Sequence, residues 1–370
     1  MEIWRLNKER LWKFINSDEF HSMPVIPITK HKALSYLSNP RASDDDILLL
    51  LALEDNRMVG YLSILADFLY DREAVYKAGW LSAFWVDPSM RRKGIAGKLL
   101  REALDSWNNH ILVADWVPNS FGVYQKSGAF TDLVCREGIR AYLRFNLRDT
   151  LPLKSFKSTF FGKIILIAAD RVLNIVNSPR LYCGKLVFRN DYPTYEKMDK
   201  IDDESTEFMS RWKDSEMFRR LGKDLMWVLK YPWVLEKSLE CPTPDKRFHF
   251  SSVCNEFRNE IIKIRDSRNK MIAFLLLTIR NKSLEIPYLY YNPDQVKPVA
   301  RFIYRYMWDM KIKMITVFDT RLSDYFFTNR TPFISKHKMK RPYIITKSLA
   351  EKLTDNGRII QDGDGELVFT

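Results

Sequence analysis

The sequence predicts an α/β (α+β) fold, a mixed, mostly antiparallel sheet flanked by helices, and predicts that this arrangement is duplicated along the chain. Three observations lead there. At 370 residues the chain exceeds what one hydrophobic core comfortably organises. Apolar segments with the two-residue repeat of strands alternate with segments that follow the 3.6-residue repeat of helices. The same order of segments then recurs at a nearly constant offset. The composition permits such a core: 46% of residues are hydrophobic and 14% aromatic, which excludes general disorder. Only 13 Gly and 16 Pro exclude a collagenous or low-complexity chain.

In the first half, Leu11–Ile15 and Lys30–Leu37 have helical spacing. Ile47–Glu54 is a continuous apolar run closed by the turn pair Asp55-Asn56. Met58–Tyr70 and Ala78–Val86 are rich in aromatic and aliphatic residues, as strands are. Gly94–Trp107 sets Ile95, Leu99, Leu100 and Leu104 on one helical stripe. Ile111–Asp115 predicts a short buried strand, Ser120–Lys126 a short helix and Phe130–Asn146 further strand. Residues 151–204 predict a linker with Pro152, Lys154 and Lys157, one helix over Phe160 to Val176, and an acidic end. Lys163, Asp170 and Arg171 interrupt that helix, so it falls short of the ~18 apolar residues of a membrane span and is expected to be buried or interdomain.

Beyond the linker, Ser205–Leu221 and Lys223–Glu236 predict helices, and Glu260–Arg265, Met271–Arg280 and Leu284–Tyr291 predict strands. Gln295–Met310 predicts a helix, Met314–Asp319 a strand, Leu322–Thr328 a short helix and Tyr343–Ile345 a strand. The recurrence shows in the letters. Asn56–Leu62 lies against Asn269–Leu275, Asp87-Pro88 against Asn292-Pro293, and Val113-Ala114-Asp115 against Val317-Phe318-Asp319. The expected organisation is therefore a domain at 1–150, a linker at 151–204 and a degenerate second copy at 205–370.

Charge is unevenly spread. The chain carries +13, of which residues 1–150 contribute +1 and residues 151–370 contribute +12. Such an asymmetry is compatible with an anionic partner or with a solvated basic face, and the run Lys336-x-Lys338-x-Lys340-Arg341 is expected to be a solvated loop or to attract an anionic acceptor. Four cysteines, Cys135, Cys183, Cys241 and Cys254, are too scattered for a disulfide framework and lack metal-site pairing. The start, Met1-Glu2-Ile3-Trp4-Arg5, has no apolar leader core, which favours a cytoplasmic location.

The chemistry concentrates in Trp85-Val86-Asp87-Pro88-Ser89-Met90-Arg91-Arg92-Lys93-Gly94-Ile95-Ala96-Gly97-Lys98. A strand ends, and a basic, glycine-bearing loop opens into a helix. Such an opening presents unpaired backbone N–H groups and the positive end of the helix dipole. Small residues at Gly94, Ala96 and Gly97 let a phosphate approach, and Arg91, Arg92, Lys93 and Lys98 add charge. Four cations with no acid at a helix start are costly unless an anion arrives, so the segment predicts a diphosphate site. It is neither a Walker loop nor a dinucleotide GxGxxG.

Arg91-x-x-Gly94-x-Ala96, after a strand ending in Val86-x-Pro88, resembles motif A of the GNAT superfamily of acyl-CoA N-acyltransferases. Tyr124-Gln125-Lys126-Ser127-Gly128-Ala129-Phe130 is similar to that family's YxxxGF segment. The resemblance covers residues 1–148. It implies a GNAT-like fold with acetyl-CoA as co-substrate, held at its diphosphate by Arg91, Arg92, Lys93, Gly94, Ile95, Ala96, Gly97 and Lys98. Phe84, Trp85 and Val86 would offer backbone groups to the pantetheine arm, and Tyr124 would protonate the leaving thiolate. There are departures. Val117 stands where relatives carry a coenzyme-contacting Asn, leaving Asn119, two residues late, as the candidate. Ala129 is an insertion, and Gly79–Val86 contains no Glu where many relatives place a base.

Transfer to an amine needs a base, and Asp115 at a strand end and Glu73 in a loop are candidates beside an ordered water. His31 and His110 are expected to be structural. No Cys or Ser sits in a nucleophile constellation, so direct attack is expected. In the second copy Pro298, Val299 and Arg301 replace Lys93, Gly94 and Ala96, which removes the loop and leaves a shaping role at the acceptor cleft. The resemblance thus implies an N-acetyltransferase acting on a small-molecule or protein amine. The basic half leaves an anionic acceptor open. The alternative is a non-catalytic scaffold that binds acyl-CoA, nucleic acid or a membrane. Tandem relatives that use aminoacyl-tRNA lack this loop, which argues against nucleic acid.

Overall fold

The structure, a computed structural model, describes residues 1–147, 160–188, 192–237, 245–354 and 357–369. Pro152, Lys154, Lys157 and Cys241 of the sequence reading lie outside them. The first strands and helices are β1 (Glu2–Leu6), α1 (Lys8–Ile15), α2 (Asp18–Ser22), α3 (Lys30–Leu37), β2 (Leu49–Glu54), β3 (Arg57–Asp71) and β4 (Ala74–Val86). Then come α4 (Ile95–Ser106), β5 (Ile111–Ala114), α5 (Pro118–Ser127) and β6 (Phe130–Tyr142). A helix at Phe160–Phe188 precedes β7 (Thr194–Met198), helices at Asp203–Ser210 and Gly222–Lys230, and the short pair β8 (Leu235–Glu236) and β9 (Val253–Cys254). The last part holds β10 (Phe257–Arg265), β11 (Met271–Arg280), β12 (Ser283–Tyr291), a helix at Val296–Asp309, β13 (Met314–Val317), a helix at Thr320–Thr328 and β14 (Ser335–Thr346).

Local chemistry sets many of these boundaries. Asn7, Ser17 and Thr29 each accept a backbone N–H three residues on and so start α1, α2 and α3. Asp55 and Asn56 both adopt positive φ, 51° and 60°, which the tight β2–β3 hairpin requires; Asn281 and Lys282 do the same between β11 and β12.

The chain divides into two compact units. One is Met1–Arg136, Lys200–Phe257 and Arg341–Thr370; the other is Glu137–Asp199 and Arg258–Lys340. The boundary expected at 150–204 therefore does not separate them. The reason lies in the closing strands. In the first unit the strand order is β1-β2-β3-β4-β5-β14, with β4–β5 parallel and Tyr343–Ile345 of β14 antiparallel to Leu112–Ala114 of β5. In the second the order is β6-β13-β12-β11-β10-β7, with β12–β13 parallel and Ile139–Tyr142 of β6 antiparallel to β13. Each half of the sequence ends in a strand that completes the other unit's sheet.

The order of elements does recur. β2-β3-β4, a 3₁₀ turn at Pro88–Met90, α4, β5, α5 and β6 are matched by β10-β11-β12, a 3₁₀ turn at Pro293–Gln295, a helix, β13, a helix and β14. Three expectations change. Ser205–Leu221 is a helix only to Ser210, with a 3₁₀ turn at Lys213–Ser215. Lys336, Lys338 and Lys340 lie in β14 and not in a loop. The Phe160–Phe188 helix is not buried on its apolar side: Ile165, Val172 and Ile175 are exposed while Asp170 and Asn177 are buried.

Candidate active site

The site is built in the first unit, where β4 ends. Asp87 accepts from Ser89 N at 2.9 Å, shaping the turn at Pro88–Met90, and pairs with Arg57 at 2.6 Å. The chain then runs through exposed Arg91, Arg92 and Lys93 to Gly94, which holds φ at +80° and stands as the N-cap of α4. Ile95, Leu99, Leu100 and Ala103 anchor α4 in the core. Gly60 of β3 lies beneath it, where a Cβ would come within 3.2 Å of Ile95 and Leu99, so glycine sets how closely the helix seats. At its open end, no side chain caps α4 and no acid occupies its first turn. The N–H groups of Ile95, Ala96 and Gly97 have no acceptor inside the helix. A Cβ built on Gly94 or Gly97 would meet no atom within 4 Å. The helix mouth is open and cationic, as a diphosphate requires.

Beside that mouth, β4 parts from β5. The two strands pair only at Gly79–Ile111 and Trp80–Leu112. A bulge between Tyr61 and Ser63 of β3, with Ala83 at φ +28°, turns β4 further. From there to Val86, β4 keeps β3 on one edge and has no strand among the described residues on the other, so its outer backbone groups can pair with an extended amide-bearing chain. Phe84, Trp85 and Val86 are half-buried there, with Trp85 stacked on Tyr61 at 5.4 Å and on His249 at 4.7 Å. The floor is aromatic and fully buried: Trp80 packs on Phe218 at 4.9 Å and on Tyr343 at 6.2 Å.

Tyr124 of α5 reaches this opening, its ring 6.3 Å from Phe84 and 5.5 Å from Phe130. Burial, then the nearby Glu366 carboxyl, push its phenol well above the ordinary range, so it keeps its proton. Glu366 itself is a residue the sequence reading missed. Ser82 of β4 donates to Glu366 Oε2 and accepts from Lys32 Nζ at 3.0 Å. Burial raises the Glu366 pKa against the opposing effects of Lys32 and Ser82, and Asp115 raises it further. Burial pushes Lys32 down to about 8, with Glu366 opposing, and its ammonium sits 4.0 Å from the Trp233 ring centroid.

The segment that delivers Glu366 is firmly seated. Asp362 pairs with Arg341. Arg220 Nη1 donates to the carbonyls of Gly363 at 3.4 Å and Gly365 at 3.1 Å, and Arg220 also pairs with Asp67. Gly365 takes φ +74° directly against Trp80, where a Cβ would lie 2.9 Å from the indole. Phe369 stacks on Trp233 at 4.5 Å. Nothing periodic marks Glu366 in sequence; the only hint was a carboxylate set among glycines and followed by the apolar Leu367 and Phe369.

The other predicted residues separate. Asp115 stands exposed at φ +51° just after β5, within electrostatic reach of Glu366. Asn119 is exposed in the first turn of α5. Glu73 is at the far end of the β3–β4 hairpin, separated from Val86 by the 13-residue length of β4, or roughly 40 Å. That distance removes it as a base. His31 contacts the Trp233 carbonyl at 2.7 Å and His110 the Lys77 carbonyl at 3.0 Å, both structural positions.

Comparison with known proteins agrees with this geometry. Residues 11–129 match the model of the acetyltransferase (GNAT) family. No curated protein matches the sequence. Among solved structures, the chain is similar to a conserved protein of unknown function from Enterococcus faecalis V583, a probable N-acyltransferase by its description. The TM-score is 0.51 at 12% identity, over 94% of this chain and 72% of that one. A GCN5-related N-acetyltransferase from Kribbella flavida gives 0.48 at 10% identity, over 92% and 71%. N-myristoyltransferase of Saccharomyces cerevisiae with bound myristoyl-CoA gives 0.48 at 12% identity, over 93% and 78%. The first of these shares the fold.

Proposed function

For a chain that carries a GNAT-family domain and is an acyl-CoA-dependent N-acyltransferase, we propose that the transferred group is acetyl, that the acceptor is a primary amine, and that Glu366 and Tyr124 move the protons. The observation that carries the reading is the pairing of an open α4 mouth, which no side chain caps, with a β4 edge that leads directly to a buried phenol and a half-buried carboxyl. The diphosphate of acetyl-CoA would be held by the N–H groups at Ile95, Ala96 and Gly97 and by Arg91, Arg92, Lys93 and Lys98. The arm would lie along Phe84–Val86, with Asn119 at its margin. The packed floor of Trp80, Tyr343 and Phe218 favours a short acyl group over a long one.

In this mechanism the amine attacks the thioester carbonyl directly. A C–N bond forms and the C–S bond breaks. Glu366, its pKa raised toward the working range, takes the proton from the attacking ammonium, and the protonated Tyr124 gives its proton to the departing sulfur. Asp115 beside Glu366 makes the acceptor end acidic, which suits a cationic amine better than an anionic acceptor. The counterpart helix of the second unit begins Val296-Lys297-Pro298-Val299, without glycine. We assign it to a duplicated domain that no longer binds the co-substrate. We propose a cytoplasmic location, where acyl-CoA is accessible. The test is thiol release from acetyl-CoA with a pool of primary amines, with product mass spectrometry. A product 42 Da heavier than an amine supports the reading, and binding without turnover on any amine overturns it.

A further inference from the structure

The Phe160–Phe188 helix is amphipathic in the reverse of the usual sense. Its polar stripe faces the protein. Asp170 Oδ1 accepts from Leu147 N at 2.7 Å, and Asn174 brackets Phe145, accepting from its N and donating to its O, both at 2.9 Å. Asn177 donates to Leu143 O at 3.3 Å, and Arg180 to Pro332 O at 2.6 Å. These directional bonds fix the rotation of the helix about its axis. They turn Phe161, Ile165, Val172, Ile175, Tyr182 and Leu186 outward, each between 48% and 76% exposed. Their spacing of three, four or seven residues keeps them on one face, and no charged residue interrupts it. Twenty-nine residues extend that face over roughly 43 Å. A contiguous apolar surface of this size is an interaction site and not ordinary solvent-facing surface.

Charge identifies the occupant. Residues 146–190 hold eight Lys or Arg against two Asp, and Asp170, the helix's one acid, is turned inward. A second copy seated on this face would bring two net-positive segments together, with Arg171 exposed on each and Lys185 already paired with Asp309 at 2.7 Å. An anionic lipid surface offers the complementary charge, with apolar depth for the face itself. No helix among the described residues is long and apolar enough to cross a membrane, so this one lies in the interface plane. We propose that the helix docks the enzyme on an anionic bilayer surface, with Phe161 to Leu186 immersed to the level of the acyl chains.

The test is flotation of the full chain with vesicles of phosphatidylcholine and phosphatidylglycerol at 3:1, and of phosphatidylcholine alone. Light scattering of the free protein accompanies it. The expected result is partitioning onto anionic vesicles, several-fold weaker on neutral ones, and at least tenfold weaker for I165E/I175E. Urea denaturation followed by circular dichroism reports that the variant is folded, and acetyl-CoA affinity in the other unit should hold within twofold. A wild-type chain that stays in the soluble fraction at every composition overturns the proposal. So does a lipid-indifferent dimer that I165E/I175E converts to monomer, since the face then belongs to a second copy.

Discussion

The open helix mouth can be tested with a matched pair of glycines. Gly94 and Gly128 both hold left-handed backbone, at φ +80° and +66°, and a Cβ on either would meet nothing within 4 Å. Alanine at each position therefore costs the same in the folded chain, about 1–2 kcal/mol for the left-handed conformation. Part of that is returned by the stiffer unfolded chain, leaving a net loss of about 1 kcal/mol. The two differ in what they face. Gly94 caps the uncapped end of α4, whereas Gly128 closes α5. A methyl at Gly94 stands where the diphosphate must approach. It would displace one charge-assisted N–H contact worth about 1.5–3 kcal/mol, roughly ten- to a hundredfold in affinity. Urea denaturation should show equal losses for Gly94→Ala and Gly128→Ala. Calorimetry with acetyl-CoA should show binding weakened only for Gly94→Ala. Equal affinities in the two variants would refute the assignment of the diphosphate to this helix.

Tyr124→Phe should lower kcat by about a hundredfold with little change in acetyl-CoA affinity, as removal of a general acid does; an unchanged kcat would exclude that role. Glu366→Gln should abolish the acidic limb of the kcat/KM profile, because the wild-type carboxyl, raised above the ordinary Glu value by burial, must lose its proton to act; a variant that keeps the limb would place the base elsewhere. Lys32, lowered by burial from 10.5 to about 8, disfavours the folded state wherever it must stay charged there, so its stability contribution is present above pH 10.5 and lost as pH falls through 8. The stability difference between wild type and Lys32→Met, followed by urea titration, should change within that window and be flat outside it. Asp67 pairs at 2.7 Å with Arg41 and also with Arg220, all three buried, so Asp67→Asn leaves two guanidinium groups undercompensated and should cost about 3–5 kcal/mol in unfolding free energy.

What could be read from the sequence was what is local in it. The strand, turn, basic loop and helix from Trp85 to Lys98 are contiguous, so dipole, glycine and charge arguments met on one segment. Tyr124 came from its neighbouring motif. Periodicity located β11 to the residue at both ends, and the β4–α4–β5 order with it. Periodicity says which element a segment forms but not which sheet edge it joins. The exchange of β6 and β14 between the units was therefore invisible, and with it the domain boundary. The long helix failed differently. Its apolar run predicts a buried or interdomain helix, although Asp170, Asn174 and Asn177, spaced four and three apart, mark a second stripe. That stripe had partners because Leu143, Phe145 and Leu147 offer backbone groups that need hydrogen bonds.

Glu366 shows why a missing residue in a motif is weak evidence of missing chemistry. Residues 79–86 of β4 carry no carboxylate, so the sequence left the base to Asp115, Glu73 or water. What the site requires is a carboxyl at a position in space, and a strand is only one way to deliver it. Here Ser82 occupies the strand position and holds a carboxyl that arrives from 284 residues away. Delivery depends on Gly365 passing under Trp80 and on Arg220 gripping the carbonyls on either side of Asp364. A strand-borne base is present as soon as the sheet forms. A base carried on residues 361–369 is present only when that segment is seated, so in this protein the proposed proton acceptor depends on the contacts of Arg220 and Trp80 that hold it.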